Sequence, residues 1–449
     1  MQKDFILKGI FCHTPDRNAF QIRKNAFAVC TGGICAGIFD GIPERFQGLE
    51  IIDCTDCLII PGMVDLHTHA PQFSFYGTGM DYELLEWLDQ KTFPEEMRYS
   101  DLEYAGKAYH VFSRKLQKSA TTRAVIFGTV HREATLLLAD CMEKSGVISY
   151  VGKVNMDRNV PEGLKEPDAG HAAADTRLFL EEVKDRRYRH TKPVITPRFV
   201  PACSDELMKR LGGICAEFDL PVQSHLSENP EEILWVKDLE PEAAFYGDVY
   251  DRCGLFGRGI RTVMAHCVFS PEEEIQRIVD NGVWVAHCPS SNMNLASGIA
   301  PMRKYLDRGL RAGLGSDVAA GSSESIFRAV TDAIQVSKLY ARYIDRDAKP
   351  LSFSESFYLA TKGGGSFFGQ VGSFEEGYEF DAVILDDSAE EAILPDDPLS
   401  RLERAFYLGL DQRGIRMKFA GGEEVEVLRH GTGHENMTGA DGINDAVQS

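Results

Sequence analysis

The sequence predicts an α/β protein: a (β/α)8 TIM-like barrel joined to a small β-sandwich built from both chain ends. Three observations carry that expectation. Apolar strand candidates alternate with helical segments eight times over about 300 residues, the count of a closed barrel. Short strands punctuated by Gly, Asn, Asp and Pro fill the start of the chain and return near its end, and neither group has enough strands to stand alone. Histidines collect at the C-terminal ends of the barrel strands, where barrel enzymes place their chemistry. A doubly wound open sheet is the competing architecture.

Taken in order, residues 1–60 supply the first part of the sandwich, with strand candidates at Phe5–Leu7, Ala26–Cys30, Gly33–Phe39 and Glu50–Cys54. Residues 61–372 form the barrel, with strands expected at 58–67, 122–131, 149–156, 193–200, 221–227, 262–268, 283–288 and 311–317. Ser100 with Glu103, and Ser270 with Glu273, carry the capping-box spacing at the head of two intervening helices. Residues 373–428 complete the sandwich through Phe380–Leu385 and Ile415–Phe419, and 429–449, rich in Gly, Asn and Asp, is expected to be a disordered tail.

Composition limits the partners. The chain has 449 residues, 43% hydrophobic and 26% charged, which is ordinary for a soluble protein. Its net charge of -20 argues against a nucleic-acid backbone or an anionic membrane. No apolar run is long enough for a membrane span and no secretory leader is evident. The 11 scattered cysteines read as free thiols, so a cytoplasmic location is expected. Cys54-Thr-Asp-Cys57 has redox or zinc-ribbon spacing, but without a second pair it reads as strand-edge residues.

The chemistry gathers around Pro61-Gly-Met-Val-Asp-Leu-His-Thr-His69. On a strand, His67 and His69 point to one face, and two neutral imidazoles so placed are half of a tetrahedral metal site. The other strand ends bring His131, Arg198 with Phe199, His225 with Glu228 beyond it, His266, His287 and Asp317. His67, His69, His225 and Asp317 make a first shell for Zn²⁺ or Fe²⁺ with a position open for water. Asp317 can then accept the water proton, Glu228 can shuttle one to the substrate, and His266 can polarise the reacting atom or stabilise hydroxide. His131 and His287 read as supporting or core histidines. Arg198, leaving a buried strand, needs either a structural carboxylate or a ligand oxygen.

The chain has no Gly-x-Ser-x-Gly elbow, Walker loop or dinucleotide-binding glycine pattern. His131-Arg-Glu133 lacks the Pro-Cys-x-x-Cys that a small zinc deaminase pairs with it.

Several segments together are specific: Asp65-Leu-His-Thr-His-Ala-Pro-Gln72, Leu85-Glu-Trp-Leu88, Thr92-Phe-Pro94, Val151-Gly-Lys-Val154, Thr196-Pro-Arg-Phe199, Gln223-Ser-His-Leu-Ser-Glu-Asn229, Met264-Ala-His266, Ala286-His-Cys-Pro-Ser-Ser-Asn292 and Gly315-Ser-Asp-Val-Ala319. With Tyr407-Leu-Gly-Leu410 they span the barrel and the C-terminal strands, and the sequence resembles the amidohydrolase superfamily, within it the guanine deaminases. The resemblance implies one zinc ion per subunit on His67, His69, His225 and Asp317, with Fe²⁺ an alternative. It implies that Gln72, Arg198 and Phe199 hold a purine, with Arg198 at its carbonyl oxygen. His225, Glu228 and Asp317 would also face the substrate, Glu228 as proton shuttle, and His266 would assist the water. The implied reaction is hydrolysis of guanine to xanthine and ammonia by a homodimer. The alternatives are another aminopurine, 8-oxoguanine or a pterin as substrate, or a non-catalytic scaffold that keeps the fold.

Overall fold

A computed structural model describes residues 3–390 and 397–427. The expected tail at 429–449 lies outside the described residues. The first strands are β1 (Phe5–Asp16), β2 (Ala19–Thr31), β3 (Ile34–Phe39) and β4 (Glu50–Pro61). They join β15 (Ala382–Leu385), β16 (Ile415–Ala420) and β17 (Glu423–Val425) in one seven-stranded sheet of order β17-β16-β15-β4-β1-β2-β3. Phe5 and Phe419 lie three strands apart in that order, about 14 Å across a flat sheet. Their rings stack at 4.7 Å, so the sheet curls until its halves face each other over a shared core, as the halves of a sandwich do.

Between those strands runs the barrel: β5 (Met63–His69), β6 (Thr121–Phe127), β7 (Ile148–Gly152) continued by β8 (Val154–Asn155), β9 (Thr191–Pro193) continued by β10 (Thr196–Pro197), β11 (Val222–Leu226), β12 (Thr262–His266), β13 (Trp284–His287) and β14 (Arg311–Leu314). Parallel pairing follows chain order in two four-stranded runs, β5-β6-β7-β9 and β11-β12-β13-β14. The Ile195–Val222 bridge joins the runs on one side. On the other, the Asp317 amide donates to the His67 carbonyl at 2.8 Å and closes the ring. Helices such as Leu102–Lys118, Arg132–Ser145 and Ile326–Tyr343 follow the strands on the outside.

Two strand expectations change in detail. The strand expected over 58–67 is split at Gly62, with β4 in the seven-stranded sheet and β5 in the barrel. A Cβ on Gly62 would stand 2.0 Å from Thr122 Oγ1, so only glycine lets the chain cross between sheets there. The strand expected over 193–200 is broken into β9 and β10 because Pro193 and Pro197 cannot donate to the ladder. The helix at 102 is capped by Asp101, whose carboxylate accepts from the Glu103 and Tyr104 amides, and not by Ser100.

Two buried contacts fasten the sheet to the barrel floor. Arg123 of β6 donates to Asp381 through Nε at 2.8 Å and Nη2 at 2.9 Å, and to Glu379 at 2.7 Å. Lys418 of β16 reaches the carbonyls of Leu116, Ser119 and Thr121 at 2.9–3.0 Å, ending the helix Leu102–Lys118 and starting β6. No helix among the described residues is long and apolar enough to cross a membrane.

Candidate active site

Val64 and Leu66 of β5 join Val125, Val263, Ala265 and Ala286 in the apolar cluster inside the barrel. Strict alternation would then send His67 and His69 outward. The β5–β6 register slips by one residue between Asp65 and Thr68, and this bulge turns both histidines inward instead. Asp65 braces the bulge: its carboxylate accepts from the amides of His67 (3.1 Å) and Ser316 (3.0 Å) and from the Ser316 hydroxyl.

The structure brings the four expected ligands together. His69 Nε2 lies 3.2 Å from both His67 Nε2 and His225 Nε2, and Asp317 Oδ1 lies 3.2 Å and 3.4 Å from His67 and His69. All four side chains are shut away from solvent, apart from the half-buried rim of His225. Burial drives His67 below the usual imidazole range and His69 and His225 well below it, which disfavours the charged rings. Burial alone would raise Asp317, but the facing His67, His266 and His69 hold it well below the carboxylate range. His225 Nδ1 lies 2.6 Å from the Arg198 carbonyl, which fixes the proton there and leaves Nε2 as a bare lone pair. Lone pairs converging at 3.2 Å beside a carboxylate repel unless a cation sits among them. The donor set therefore fits a divalent metal.

The backbone at these strand ends is unusual. Ser227, His266 and Asp317 have φ of 47°, 73° and 45°, in the left-handed region where side chains are disfavoured. The twist aims His266 at the centre, with Nε2 at 3.3 Å from Glu228 Oε2 and 3.7 Å from Asp317 Oδ2, and Nδ1 at 2.9 Å from Asn292 Oδ1.

A cavity opens onto this cluster. Gln72, Arg198, Phe199 and Glu228 line it as expected, together with Leu84, Trp87, Leu88, Glu232 and Leu295. Burial, then the nearby Asp317, pushes Glu228 well above the carboxylate range, and burial with Glu228 takes Glu232 up to about 7. The Arg198 guanidinium is paired with the Glu96 carboxylate at 2.5 Å and also faces the cavity. His131 is not part of the cluster. It stands at the head of the helix Arg132–Ser145, beyond the end of β6, and lines a separate cleft. His287 is buried with both ring nitrogens unpartnered, and burial takes it down to about 3.

Sequence reasoning missed Glu96, Glu232, Asp65 and Asn292 as supporting residues. Asn292 and Asp65 lie inside motifs already singled out. Glu232 carries a local signal, the capping box it forms with Asn229. Glu96 has none beyond its place after Thr92-Phe-Pro94.

Known proteins resemble this chain over most of its length. The guanine deaminase of Mus musculus is 39% identical over 380 residues, 82% of each chain. That of Dictyostelium discoideum is 36% identical over 413 residues, 90% of this chain and 88% of its own. The crystal structure of guanine deaminase from C. acetobutylicum, with guanine bound in its active site, is 46% identical and superposes with a TM-score of 0.91, covering 94% of this chain and 100% of that one. Residues 58–425, the barrel and the returning strands, match the amidohydrolase family, and the chain belongs to that family.

Proposed function

We propose that this chain hydrolyses guanine to xanthine and ammonia, with one zinc ion held by His67, His69, His225 and Asp317. The carrying observation is the convergence of those ligands beside a cavity edged by Gln72, Arg198, Phe199 and Glu228. A divalent ion held there supplies Lewis acidity that lowers the pKa of water from 15.7 toward about 7. Zinc suits three imidazoles and a carboxylate, with Fe²⁺ the second choice.

The protein groups divide the proton work. Asp317, kept ionised, accepts the proton of the attacking water. Glu228, kept protonated by burial, delivers a proton to the ring nitrogen next to the amino-bearing carbon. His266, 3.3 Å from Glu228 and held by Asn292, steadies negative charge as the carbon becomes tetrahedral. Arg198 and Gln72 present N–H donors to the purine carbonyl, and Phe199 packs against the ring. Collapse then expels ammonia with a proton returned through Glu228 or Asp317. The same reading takes the protein to be a cytoplasmic homodimer.

The test is spectrophotometric conversion of guanine by zinc-replete protein, with a Glu228→Gln variant alongside. Xanthine and ammonia should form in equal amounts, and the variant should lose about 10²–10⁴-fold in kcat. Zinc-loaded protein that leaves guanine untouched but turns over another aminopurine, 8-oxoguanine or a pterin would refute the substrate assignment. Protein that carries no stoichiometric metal and turns over none of them would return the fold to a scaffold role.

A further inference from the structure

One carboxylate outside the cavity organises its purine-reading wall. Glu96 ends the short helix Phe93–Glu96, directly after the turn Leu88–Thr92 that supplies wall residue Leu88. It is 1% exposed and does not line the cavity itself. Each of its oxygens holds a different wall residue: Oε1 accepts from Gln72 Nε2 at 3.0 Å, and Oε2 accepts from Arg198 Nη1 at 2.5 Å. The Gln72 Oε1 in turn accepts from the Ala319 amide at 3.3 Å. The amide is therefore oriented from both ends, its nitrogen on Glu96 and its oxygen on the backbone.

The guanidinium is restrained in the same way, since its Cζ lies 5.6 Å from the Phe93 ring while Glu96 takes one edge. Its remaining N–H groups keep a fixed direction. A planar fork so held donates to a carbonyl lying in its plane, and it cannot swing to meet a ligand that lacks one. Neither restraint comes from the metal cluster.

We propose that Glu96 is a positioning residue that sets the preference for a 6-oxo purine, by clamping Gln72 and Arg198 in the one arrangement that meets the carbonyl. The inference rests on the reading of the cavity as a guanine site.

The test compares two inhibitors of guanine turnover by zinc-replete enzyme. Hypoxanthine carries the 6-oxo group and purine does not, and neither has an amino group to lose. Wild type should prefer hypoxanthine, and Glu96→Gln should cut that preference by about tenfold or more, because a site built to hydrogen-bond an oxygen loses discrimination when its donors lose their aim. KM for guanine should rise more than kcat falls. A purely structural loss would weaken both inhibitors equally, and that outcome overturns the proposal. Should Glu96→Gln fail to fold, Glu96→Asp keeps the charge and withdraws the carboxylate by one methylene. It should fold and still lose preference, and an unchanged ratio in it also overturns the proposal. Wild type that leaves guanine untouched overturns the functional reading together with this one. Wild type that deaminates guanine beside a variant of unchanged preference overturns the role of Glu96 alone.

Discussion

Asp381→Asn isolates the contact that fastens the seven-stranded sheet to the barrel. The Asp381 carboxylate is fully buried and accepts from Arg123 twice, from the Thr122 hydroxyl at 2.9 Å and from the Gly421 amide at 2.7 Å. Asparagine keeps the shape and removes the charge. Arg123, itself only 3% exposed, would then have just the 40%-exposed Glu379 as an ionic partner. Leaving a buried charge without its mate costs about 3–5 kcal/mol, against a total stability of about 5–15 kcal/mol. Urea unfolding followed by tryptophan fluorescence should therefore show a markedly lower midpoint at unchanged zinc content. Adding Arg123→Met removes the stranded charge, so the double variant should recover at least about 1 kcal/mol relative to Asp381→Asn. A single variant that loses less than about 1 kcal/mol, or a double variant no better than the single one, would refute the reasoning.

Three further outcomes follow from the same structure. Chelation should lower the unfolding midpoint and zinc should restore it, by about 2.7 kcal/mol at a hundredfold excess over Kd, whereas magnesium should not; a chelator without effect would remove the metal from the argument. Asp411 is 1% exposed, and burial pushes its carboxyl up to about 6 from 3.8. Between those values the unfolded chain is the more deprotonated state. The contribution of Asp411 to stability is thus fullest below about pH 4 and is lost as pH rises through 6, by about 3 kcal/mol at 1.36 kcal/mol per pH unit, so Asp411→Asn should gain stability at pH 7 relative to pH 4 when each is compared with wild type in unfolding curves. Gly62→Ala should destabilise by about 1–3 kcal/mol through the clash with Thr122, measured by thermal melting, and a melt equal to wild type would contradict the tight crossing there.

The barrel and the clustering of the candidate metal ligands were legible because both leave traces in the local pattern. Eight apolar runs alternating with helical segments report parallel strands, and His67-x-His69 reports a shared face. The bulge that makes that face the inner one has no such trace, since a single inserted residue between Asp65 and Thr68 is visible only against its neighbour β6. The strand expected over 58–67 runs through Gly62 because the apolar surroundings continue unbroken, and the close approach of Thr122 is a tertiary fact. Glu96 was hidden for another reason. It lies 102 positions from Arg198 and 24 from Gln72, on an irregular helical stretch whose turns change type and so carry no steady period.

The left-handed backbone at Ser227, His266 and Asp317 carries a consequence for how such a protein can change over time. Each of these non-glycine residues holds a conformation that costs about 1–3 kcal/mol, and two of them, His266 and Asp317, line the cavity beside the histidine cluster. Glycine at His266 or Asp317 would relieve the backbone while removing a side chain of the candidate site. Loss of activity is therefore available at a gain in fold stability, and chains under pressure only to remain folded should drift toward it. His266 and Asp317 thus hold their places at the centre against the conformational preference of the polypeptide itself.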